Sequence, residues 1–195
     1  MKKLIGLKKA KTAVFISGAG SNLENLIKFS KKKKSPISVN LIISNTHNAK
    51  GLKYSRKYNI QKKVILFKNK KLAEKKILKI LFKKNINLIC LAGFMKILSK
   101  NFIKKFKGKI INIHPSLLPK YKGLNTHKKA IKNNDKYAGC SVHFVTAKID
   151  SGKIIMQKKV RILKKDDENS LSKKVLKIEN LIYPKAIKKF ITSSL

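Results

Sequence analysis

The chain has 195 residues, 43% of them hydrophobic, and carries 49 lysine and arginine residues against 8 acidic residues, a formal net charge of +41. This length and apolar content exclude a disordered protein and favour one globular domain with a buried core. The sequence has neither the apolar run of roughly 18 to 20 residues that spans a membrane nor the apolar core and cleavage site of a signal peptide. We therefore expect a basic N-terminal extension over residues 1–11, a single domain over residues 12–195, and no membrane attachment.

Short apolar runs alternate with lysine-rich amphipathic runs along the chain. Strands are predicted over residues 12–17, 37–44, 63–67, 86–93, 109–114, 137–145 and 152–162. Helices are predicted over residues 23–29, 51–58, 71–84, 99–107, 126–133 and 170–190. The last helix contains Pro184, which predicts an interruption or a bend at that point.

The order of these elements predicts an α/β fold with a doubly wound, mostly parallel twisted sheet. Strand and helix alternate from residue 12 to about residue 134. Runs such as INLICLAG lack polar alternation, as central strands covered on both faces do. The last two strands are close enough in sequence to pair antiparallel, and a long helix follows them. Ligands of such folds bind at the carboxyl ends of the strands, so the residues just after each strand carry most information about function.

The first strand runs into the segment SGAGSNLENL. Gly18 and Gly20 allow a tight turn, and the pair Ser21 and Glu24 matches a capping box at the start of a helix. Free backbone N–H groups and the helix dipole favour an anion at such a place. Leu23 stands where a dinucleotide fingerprint has its third glycine, and the GK[ST] of a P-loop is absent, so we predict a monophosphate site. A capped glycine turn without a ligand is the alternative.

A second candidate site lies at the end of the strand before HPSLLP. Asn112 and His114 are two residues apart on this strand, so their side chains share a face, and Pro115 ends the strand. Asn112 can donate an amide N–H to a carbonyl oxygen, and His114 can donate or transfer a proton near neutral pH. Among the 8 acidic residues, Asp150 lies in the turn between the last two strands and is a candidate to orient His114. A structural role for a lone histidine is the alternative, and the constellation is stronger evidence than any one of its members.

At this point the sequence resembles the glycinamide ribonucleotide formyltransferases, from about residue 12 to 190. The segments that carry the resemblance are GAGSNL (18–23), LAGFMKIL (91–98), INIHPSLLPKYKG (111–123) and SVHFVTAKIDSGKII (141–155). HPSLLPKYKG is shared across folate-dependent formyltransferases and hydrolases, whereas the GxGSN loop in a short chain is specific to this member. The resemblance implies a Rossmann-like formyltransferase fold and a cytoplasmic enzyme of purine synthesis, a monomer or homodimer, that uses 10-formyltetrahydrofolate as co-substrate.

The resemblance also implies roles for the two candidate sites. The substrate phosphate and ribose would contact Gly18, Gly20, Ser21, Asn22 and Glu179. The substrate amine would attack the formyl carbon, and Asn112 and protonated His114 would stabilise the charge that builds on the formyl oxygen. Asp150 would hold His114 in its cationic form and assist proton transfer through water from the amine toward the leaving folate nitrogen. For Glu179, a helix-surface ion pair with lysine is the alternative.

Folate is expected along a second set of residues implied by the resemblance. These residues are Lys70, Phe94, Met95, Lys96, Ile97, Leu98 and Val145, with the loop around residues 143–150. Lys96 and Lys70 stand where arginines are common, which keeps the charge but loses the planar fork, and Asn125 replaces a frequent histidine. His143 and His127 match the family pattern. We interpret His143 as mainly structural and His127 as a loop residue that helps order the site, while His47 is ambiguous.

The cysteines and the charge have simpler readings. Cys90 and Cys140 lie in apolar strands without a CxxC spacing, which predicts buried, reduced thiols, a cytoplasmic location and no metal site. A charge of +41 is typical of a nucleic-acid or membrane partner, but only Arg56 and Arg161 are arginines, and lysines occupy nearly every predicted helix and loop. Compositional drift in an AT-rich genome and a selected polyanion-binding role both remain open. We expect small-molecule substrates, no specific nucleic acid, and weak nonspecific affinity for polyanions.

Three other functions fit part of the pattern. Methionyl-tRNA formyltransferase shares the asparagine, histidine and aspartate, but that family usually has an extra C-terminal barrel and lacks the GxGSN loop. Formyltetrahydrofolate hydrolase normally has an N-terminal regulatory domain, for which the eleven residues before the first strand leave no room. A polyanion-binding module without activity would not need Asn112, His114 and Asp150 together. Salt-dependent tRNA binding, measured beside formyl transfer, separates these readings.

Overall fold

The computed structural model describes residues 9–193. Its strands are β1 (Ala10–Ile16), β2 (Ile37–Ser44), β3 (Gln61–Val64), β4 (Leu88–Leu91), β5 (Lys109–His114), β6 (Tyr137–Phe144) and β7 (Ile154–Arg161). Its α-helices are α1 (Ser21–Ser30), α2 (Lys53–Tyr58), α3 (Lys70–Lys83), α4 (Lys100–Lys105), α5 (Thr126–Lys132) and α6 (Glu168–Thr192). A short 3-10 turn over Lys50–Leu52 leads into α2.

The strands form one seven-stranded sheet in the order β3-β2-β1-β4-β5-β6-β7. The five strands β1 to β5 pair in parallel, whereas β6 is antiparallel to both β5 and β7. The strand order reverses between β1 and β4, so the crevice outside their carboxyl ends is the ligand site expected of such sheets. The predicted fold class, with its antiparallel C-terminal pair and long last helix, is confirmed.

Helices cover the two faces of the sheet, and the alternation within β1 shows how. Val14 and Ile16 belong to the core that α1, α5 and α6 complete. Ala13 and Phe15 point to the opposite face and belong to the core that α3 and α4 complete. All four side chains are fully buried, because a central strand sandwiched between helices has no solvent face.

Some predicted boundaries differ from those of the structure. The third strand ends at Val64, although Ile65 N still donates to Ser44 O at 2.8 Å. The predicted strand over 63–67 therefore runs too far toward α3. The first strand begins at Ala10, two residues before the predicted start of the domain. Residues 1–8 of the predicted extension lie outside the described residues.

Of the two outcomes expected at Pro184, the interruption is wrong, since α6 is continuous over 25 residues, and the bend stays a prediction. A proline within a helix lacks the N–H that would bond the carbonyl four residues earlier, here that of Asn180. The side-chain amide of Asn25 on α1 donates to Asn180 O instead. A neighbouring helix thus satisfies the orphaned carbonyl.

The predicted capping box of Ser21 and Glu24 is also wrong. Gly20 is the N-cap of α1, and no side chain caps the helix. Glu24 instead accepts hydrogen bonds from Lys57 Nζ at 3.0 Å and Tyr58 Oη at 2.9 Å, and these partners lower the pKa of Glu24 to about 2. Tertiary contacts with α2 therefore take the carboxylate away from the helix start.

The predicted burial of the two thiols is confirmed. Cys90 and Cys140 are both free and fully buried, and burial raises the pKa of Cys90 to about 12. In the part of the chain that the structure describes, no helix has the length and apolarity to cross a membrane. Within residues 9–193, no group of three or more side chains is arranged to hold a metal ion.

Candidate active site

The loop after β1, residues 17–20, is named the phosphate loop after its predicted ligand. It meets the predicted folate segment after β4, residues 94–98, where the strand order reverses. Ser17 N donates to Gly93 O at 3.1 Å. The Ser17 hydroxyl accepts from Met95 N at 2.8 Å and donates to Asn45 Oδ1 in the loop after β2. Both predicted binding segments therefore border one crevice and share one anchoring side chain.

Asn112 and His143 face each other where the sheet changes from parallel to antiparallel. The two residues are register partners on β5 and β6, and Asn112 Nδ2 lies 3.2 Å from His143 Nε2. His143 Nδ1 lies 2.9 Å from the carbonyl of Phe144, to which it must donate. In the neutral ring Nε2 is then an acceptor, so it fixes the orientation of the Asn112 amide. His143 is only 2% exposed, and its contacts with Asn112 and Asp150 place it inside the site.

Asp150 lies between two imidazoles. Its carboxylate oxygens are 3.4 Å from His114 Nδ1 and 3.5 Å from His143 Nε2, and Oδ2 accepts from Gly123 N at 2.9 Å. The loop between β6 and β7 carries Asp150 to the end of β5. The three residues singled out from the sequence, Asn112, His114 and Asp150, are thus brought into one cluster, with His143 as a fourth member.

Opposing effects act on the charge of this cluster. Burial lowers the pKa of His114, and this outweighs the carbonyl of Tyr121 and the carboxylate of Asp150, which favour the protonated ring. Burial alone would raise the pKa of Asp150, but the neighbouring His143, the hydrogen bond from Gly123 and the charge of a protonated His114 lower it. In the free protein the surroundings therefore favour the neutral ring of His114, and the cationic ring that Asp150 is expected to hold stays a prediction.

Three of the six non-glycine residues with positive φ in the described chain lie near the cluster. Among non-glycine residues with positive φ, Tyr121 (54°), Asn125 (59°) and Asp150 (45°) lie in the loops that surround His114. Such a conformation is rare for residues other than glycine and asparagine and persists only where neighbours hold it. Asparagine tolerates it best, which gives a backbone reason for Asn125 in the position where histidine is frequent in the resembling family.

The phosphate loop is shaped by close backbone contact. Gly20 has φ of 78°, and a Cβ on it would lie 2.6 Å from the Cα of Gly51. Gly51 N in turn donates to Gly18 O at 2.9 Å, which fastens the loop to the 3-10 turn before α2. The first N–H groups of α1, at Ser21 and Asn22, have no side-chain cap and face the end of the sheet where an anion would be stabilised.

Glu179 of α6 reaches this loop from the other side. Asn22 Nδ2 donates to Glu179 Oε2 at 2.7 Å, and Glu179 is only 7% exposed. The alternative of a surface ion pair for Glu179 is therefore wrong. Burial raises the pKa of Glu179 to about 7, against the opposing effect of Asn22. Among the described residues, buried Asn22 Oδ1 has no hydrogen-bond partner.

The predicted folate segment presents only part of its side chains to solvent. Met95 and Ile97 are 64% and 59% exposed, and Lys96 is exposed beside them. Leu98 is buried in the α3 and α4 core, and Val145 packs against the same core. Two exposed apolar side chains on one short loop are compatible with the predicted folate contact, although other exposed hydrophobic residues, such as Leu72 and Leu124, lie elsewhere.

Phe94 and Lys70 occupy different positions relative to this segment. The Phe94 ring packs edge-on against Phe15 and Phe67, with centroids 5.3 and 5.7 Å away, so it anchors the segment to the core. Lys70 is the exposed first residue of α3, one turn before Glu74. Glu74 accepts from Ser99 N at 2.7 Å, just after the segment, so Lys70 lies on the side of α3 that borders it.

Sequence reasoning missed two backbone contributors, Tyr121 and Gly123. The carbonyl of Tyr121 lies 2.9 Å from His114 Nε2, and the N–H of Gly123 bonds Asp150. Side-chain chemistry does not reveal such groups, although both lie in the KYKG run that carried the resemblance. Of the other histidines, His47 is exposed after β2, whereas His127 is partly buried at the start of α5 and burial lowers its pKa.

Comparison with known proteins agrees with this geometry. Residues 10–187 match the family model described as formyl transferase. The chain is 41% identical to phosphoribosylglycinamide formyltransferase of Haemophilus influenzae over 92% of the chain and 86% of that protein. It is 41% identical to the human trifunctional purine biosynthetic protein adenosine-3 over 92% of the chain, but spans only 18% of that protein's length. The crystal structure of phosphoribosylglycinamide formyltransferase from Brucella melitensis superposes with a TM-score of 0.89 at 40% identity, covering 94% of this chain and 96% of that one.

The chain belongs to the formyl transferase family, because the family model covers nearly all of the described residues. Within that family it is similar to phosphoribosylglycinamide formyltransferases over most of their length.

Proposed function

We propose that the protein transfers the formyl group of 10-formyltetrahydrofolate to the amine of 5-phosphoribosylglycinamide, in purine biosynthesis. The observation that carries this proposal is the convergence of Asn112, His114 and Asp150 beside an uncapped, glycine-bounded helix start. A phosphorylated amine and a formyl donor need these parts: an anion site, hydrogen-bond donors for an oxyanion, and a group that accepts a proton.

The chemistry divides among these side chains as follows. The amine attacks the formyl carbon, and negative charge develops on the formyl oxygen. Asn112 has one amide hydrogen that His143 does not use, and it donates this hydrogen to the oxygen together with His114. The developing charge favours the protonated ring and so opposes the effect of burial on His114. Asp150, acting through water, moves the proton lost by the amine toward the folate nitrogen as that C–N bond breaks.

The substrate amine would be placed by the loop and α6. Gly18, Gly20, Ser21 and Asn22 offer N–H groups and space for a phosphate. Asn22 Oδ1 and the carboxyl of Glu179 lie next to each other, and the oxygen of Asn22 has no partner among the described residues. A ribose hydroxyl would supply the missing donor, as buried polar atoms require.

The folate would lie along the exposed part of the segment after β4. Met95 and Ile97 offer apolar contact, and Lys96 and Lys70 offer positive charge for the acidic tail. Phe94, Leu98 and Val145 act through their backbone, since their side chains pack toward the core. We further propose a single formyltransferase domain from residue 12 onward, a cytoplasmic monomer or homodimer, no resident metal, and no specific nucleic-acid partner.

The test is formyl transfer by purified protein given 10-formyltetrahydrofolate, with and without 5-phosphoribosylglycinamide. The wild type is expected to consume the folate only when the amine is present. Asn112→Ala is expected to lower kcat by about 10² to 10³, because one oxyanion donor is lost. The matched control Asn40→Ala changes an exposed residue on β2 and should leave kcat unaltered. Absence of transfer combined with strong tRNA binding at physiological salt would overturn the proposal in favour of a polyanion-binding role.

A further inference from the structure

We propose that Tyr121 and Asp135 are positioning residues for His114. They hold a protein acceptor against one ring nitrogen, so that only the other nitrogen exchanges a proton with the substrates. In this assignment Nε2 of His114 is the fixed nitrogen, and Nδ1 is the nitrogen that gives and takes the proton. The inference rests on the proposed function for its catalytic consequence, but its structural content can be measured without any activity.

The contacts of His114 distinguish the two nitrogens. Nε2 lies 2.9 Å from the carbonyl oxygen of Tyr121, which can only accept, so Nε2 keeps its hydrogen in both charge states of the ring. Nδ1 lies 3.4 Å from Asp150 Oδ2, which is longer than a well-formed N–H···O bond. Proton exchange at Nδ1 therefore takes place beside Asp150, within the cluster.

Hydrogen bonds of the Tyr121 side-chain hydroxyl hold the backbone carbonyl of the same residue in place. The Tyr121 hydroxyl donates to Asp135 Oδ2 at 2.9 Å and accepts from Asn133 Nδ2 at 2.8 Å. The other oxygen of Asp135 accepts from Lys120 Nζ at 2.9 Å. Since the backbone of Tyr121 has φ of 54°, a conformation that this residue type rarely adopts, the ring contacts supply the restraint that the local backbone lacks.

The peptide before Tyr121 is fixed as well. The hydroxyl of Ser116 donates to Lys120 O at 2.6 Å, and Lys120 N donates to Leu117 O at 3.1 Å. The turn from Pro115 to Tyr121 therefore has two hydrogen bonds at Lys120, directly before the residue whose carbonyl meets His114. Such preorganisation is what an active-site donor needs in order to act without rearrangement.

The electrostatic surroundings of His114 determine what loss of this contact does. The titratable and charged groups that face it are Asp150 in the β6–β7 loop, His143 on β6, and Lys129 and His127 on α5. Burial, His143 and Lys129 lower the pKa of His114, while the Tyr121 carbonyl and Asp150 raise it. Loss of the contact between the Tyr121 carbonyl and His114 therefore lowers the pKa of His114 further.

The test replaces Tyr121 with phenylalanine, which removes only the hydroxyl that Asp135 holds. In ¹⁵N-edited NMR, wild-type His114 is expected to be an Nε2–H tautomer when neutral, with a slowly exchanging ring proton. In Tyr121→Phe this proton is expected to exchange with solvent and the His114 titration to move to lower pH. The alkaline limb of the kcat/KM profile, on which His114 loses the proton that it donates, should move the same way, with kcat/KM about 10-fold lower at pH 7. Asp135→Ala should reproduce these changes through the same hydroxyl.

The matched control is Tyr137→Phe, which removes a hydroxyl from an exposed tyrosine of β6 whose ring lies 4.7 Å from Lys159 Nζ. It should leave the His114 signals and the profile as in the wild type. Lower activity of Tyr121→Phe with an unmoved titration and a still protected ring proton would overturn the proposal, as would a neutral Nδ1–H tautomer in the wild type. Expected NMR changes in a protein that transfers no formyl group would support the positioning and contradict only the proposed function.

Discussion

The cluster at the end of β5 and the loop at the start of α1 are built in opposite ways. In the cluster, both ring nitrogens of His143 and Nε2 of His114 have hydrogen-bond partners from the protein, Nδ1 of His114 lies 3.4 Å from Asp150, and the carboxylate of Asp150 accepts from Gly123. At the loop, α1 begins without a side-chain cap, and Asn22 Oδ1 is buried without a partner in the described chain.

This difference separates two tasks of an enzyme site. Groups that stabilise a transition state work best when the protein fixes them before the substrate arrives. Groups that bind a ground-state ligand can stay without a protein partner, because the bound ligand then forms the missing hydrogen bonds. We therefore expect changes in the cluster to act mainly on kcat and changes at the loop to act mainly on KM.

The substitution with the largest expected effect is Asp150→Asn, which tests whether the cluster acts on kcat rather than on KM. Asparagine tolerates the left-handed backbone at this position, so the fold should survive, but it cannot take a proton. We expect kcat to fall by about 10² to 10⁴, with little change in KM for either substrate, in steady-state assays. Asp167→Asn is the matched control, since asparagine is an equally good N-cap for α6. An increase in KM with unchanged kcat would contradict the division.

The loop is probed by two asparagines of α1 that both reach α6. Asn22→Ala removes the donor to Glu179 and the unpartnered oxygen, and it should raise KM for the phosphorylated amine about 10-fold with kcat nearly constant. Asn25→Ala removes only the bond to Asn180 O, so it should lower the melting temperature and leave KM alone. Equal effects of both variants on KM would mean that the loop responds to helix packing rather than to the ligand.

The last effect concerns stability rather than turnover. The pKa of Glu179 is raised to about 7 in the folded protein, so between about pH 4.5 and 7 the folded state binds the proton that the unfolded state has released. Its contribution is thus fully present at low pH and is lost as pH rises through 7. Glu179→Gln has no carboxyl group to titrate and therefore lacks this loss. Its free energy of unfolding minus that of the wild type should increase by about 2 kcal/mol between pH 5 and pH 8, measured by urea denaturation. A pH-independent difference would mean that Glu179 is ionised throughout.

Much of this fold could be predicted from apolar periodicity. INLICLAG gives a central strand because buried parallel strands need no polar alternation, and the antiparallel pair follows from the short connection between its strands. Asn112 and His114 could be placed on one face because side chains on a strand alternate with period two. Asp150 could be proposed as their partner because the chain has only 8 acidic residues and this one lies in a turn between two strands, but its distance from His114 could not be predicted across so long a sequence separation.

The errors have local causes that the sequence does not display. Ser21 and Glu24 match a capping box, yet Lys57 and Tyr58 on another helix compete successfully for the carboxylate. Pro184 indicates a break only as long as no neighbour reaches the orphaned carbonyl. The charge of His114 depends on how deeply the ring is buried, and the number of acids nearby could not reveal that.

The continuity of α6 across Pro184 has a consequence for how the molecule moves. The proline frees the carbonyl of Asn180, to which Asn25 donates, and the preceding residue of α6, Glu179, accepts from Asn22 one turn earlier on α1. These two hydrogen bonds hold α1 against α6, so we expect the start of α1 and Glu179 to move together when a ligand binds. Proline usually weakens a helix. Pro184 instead frees the carbonyl through which α6 is attached to α1, and this attachment keeps the spacing of the two helices constant.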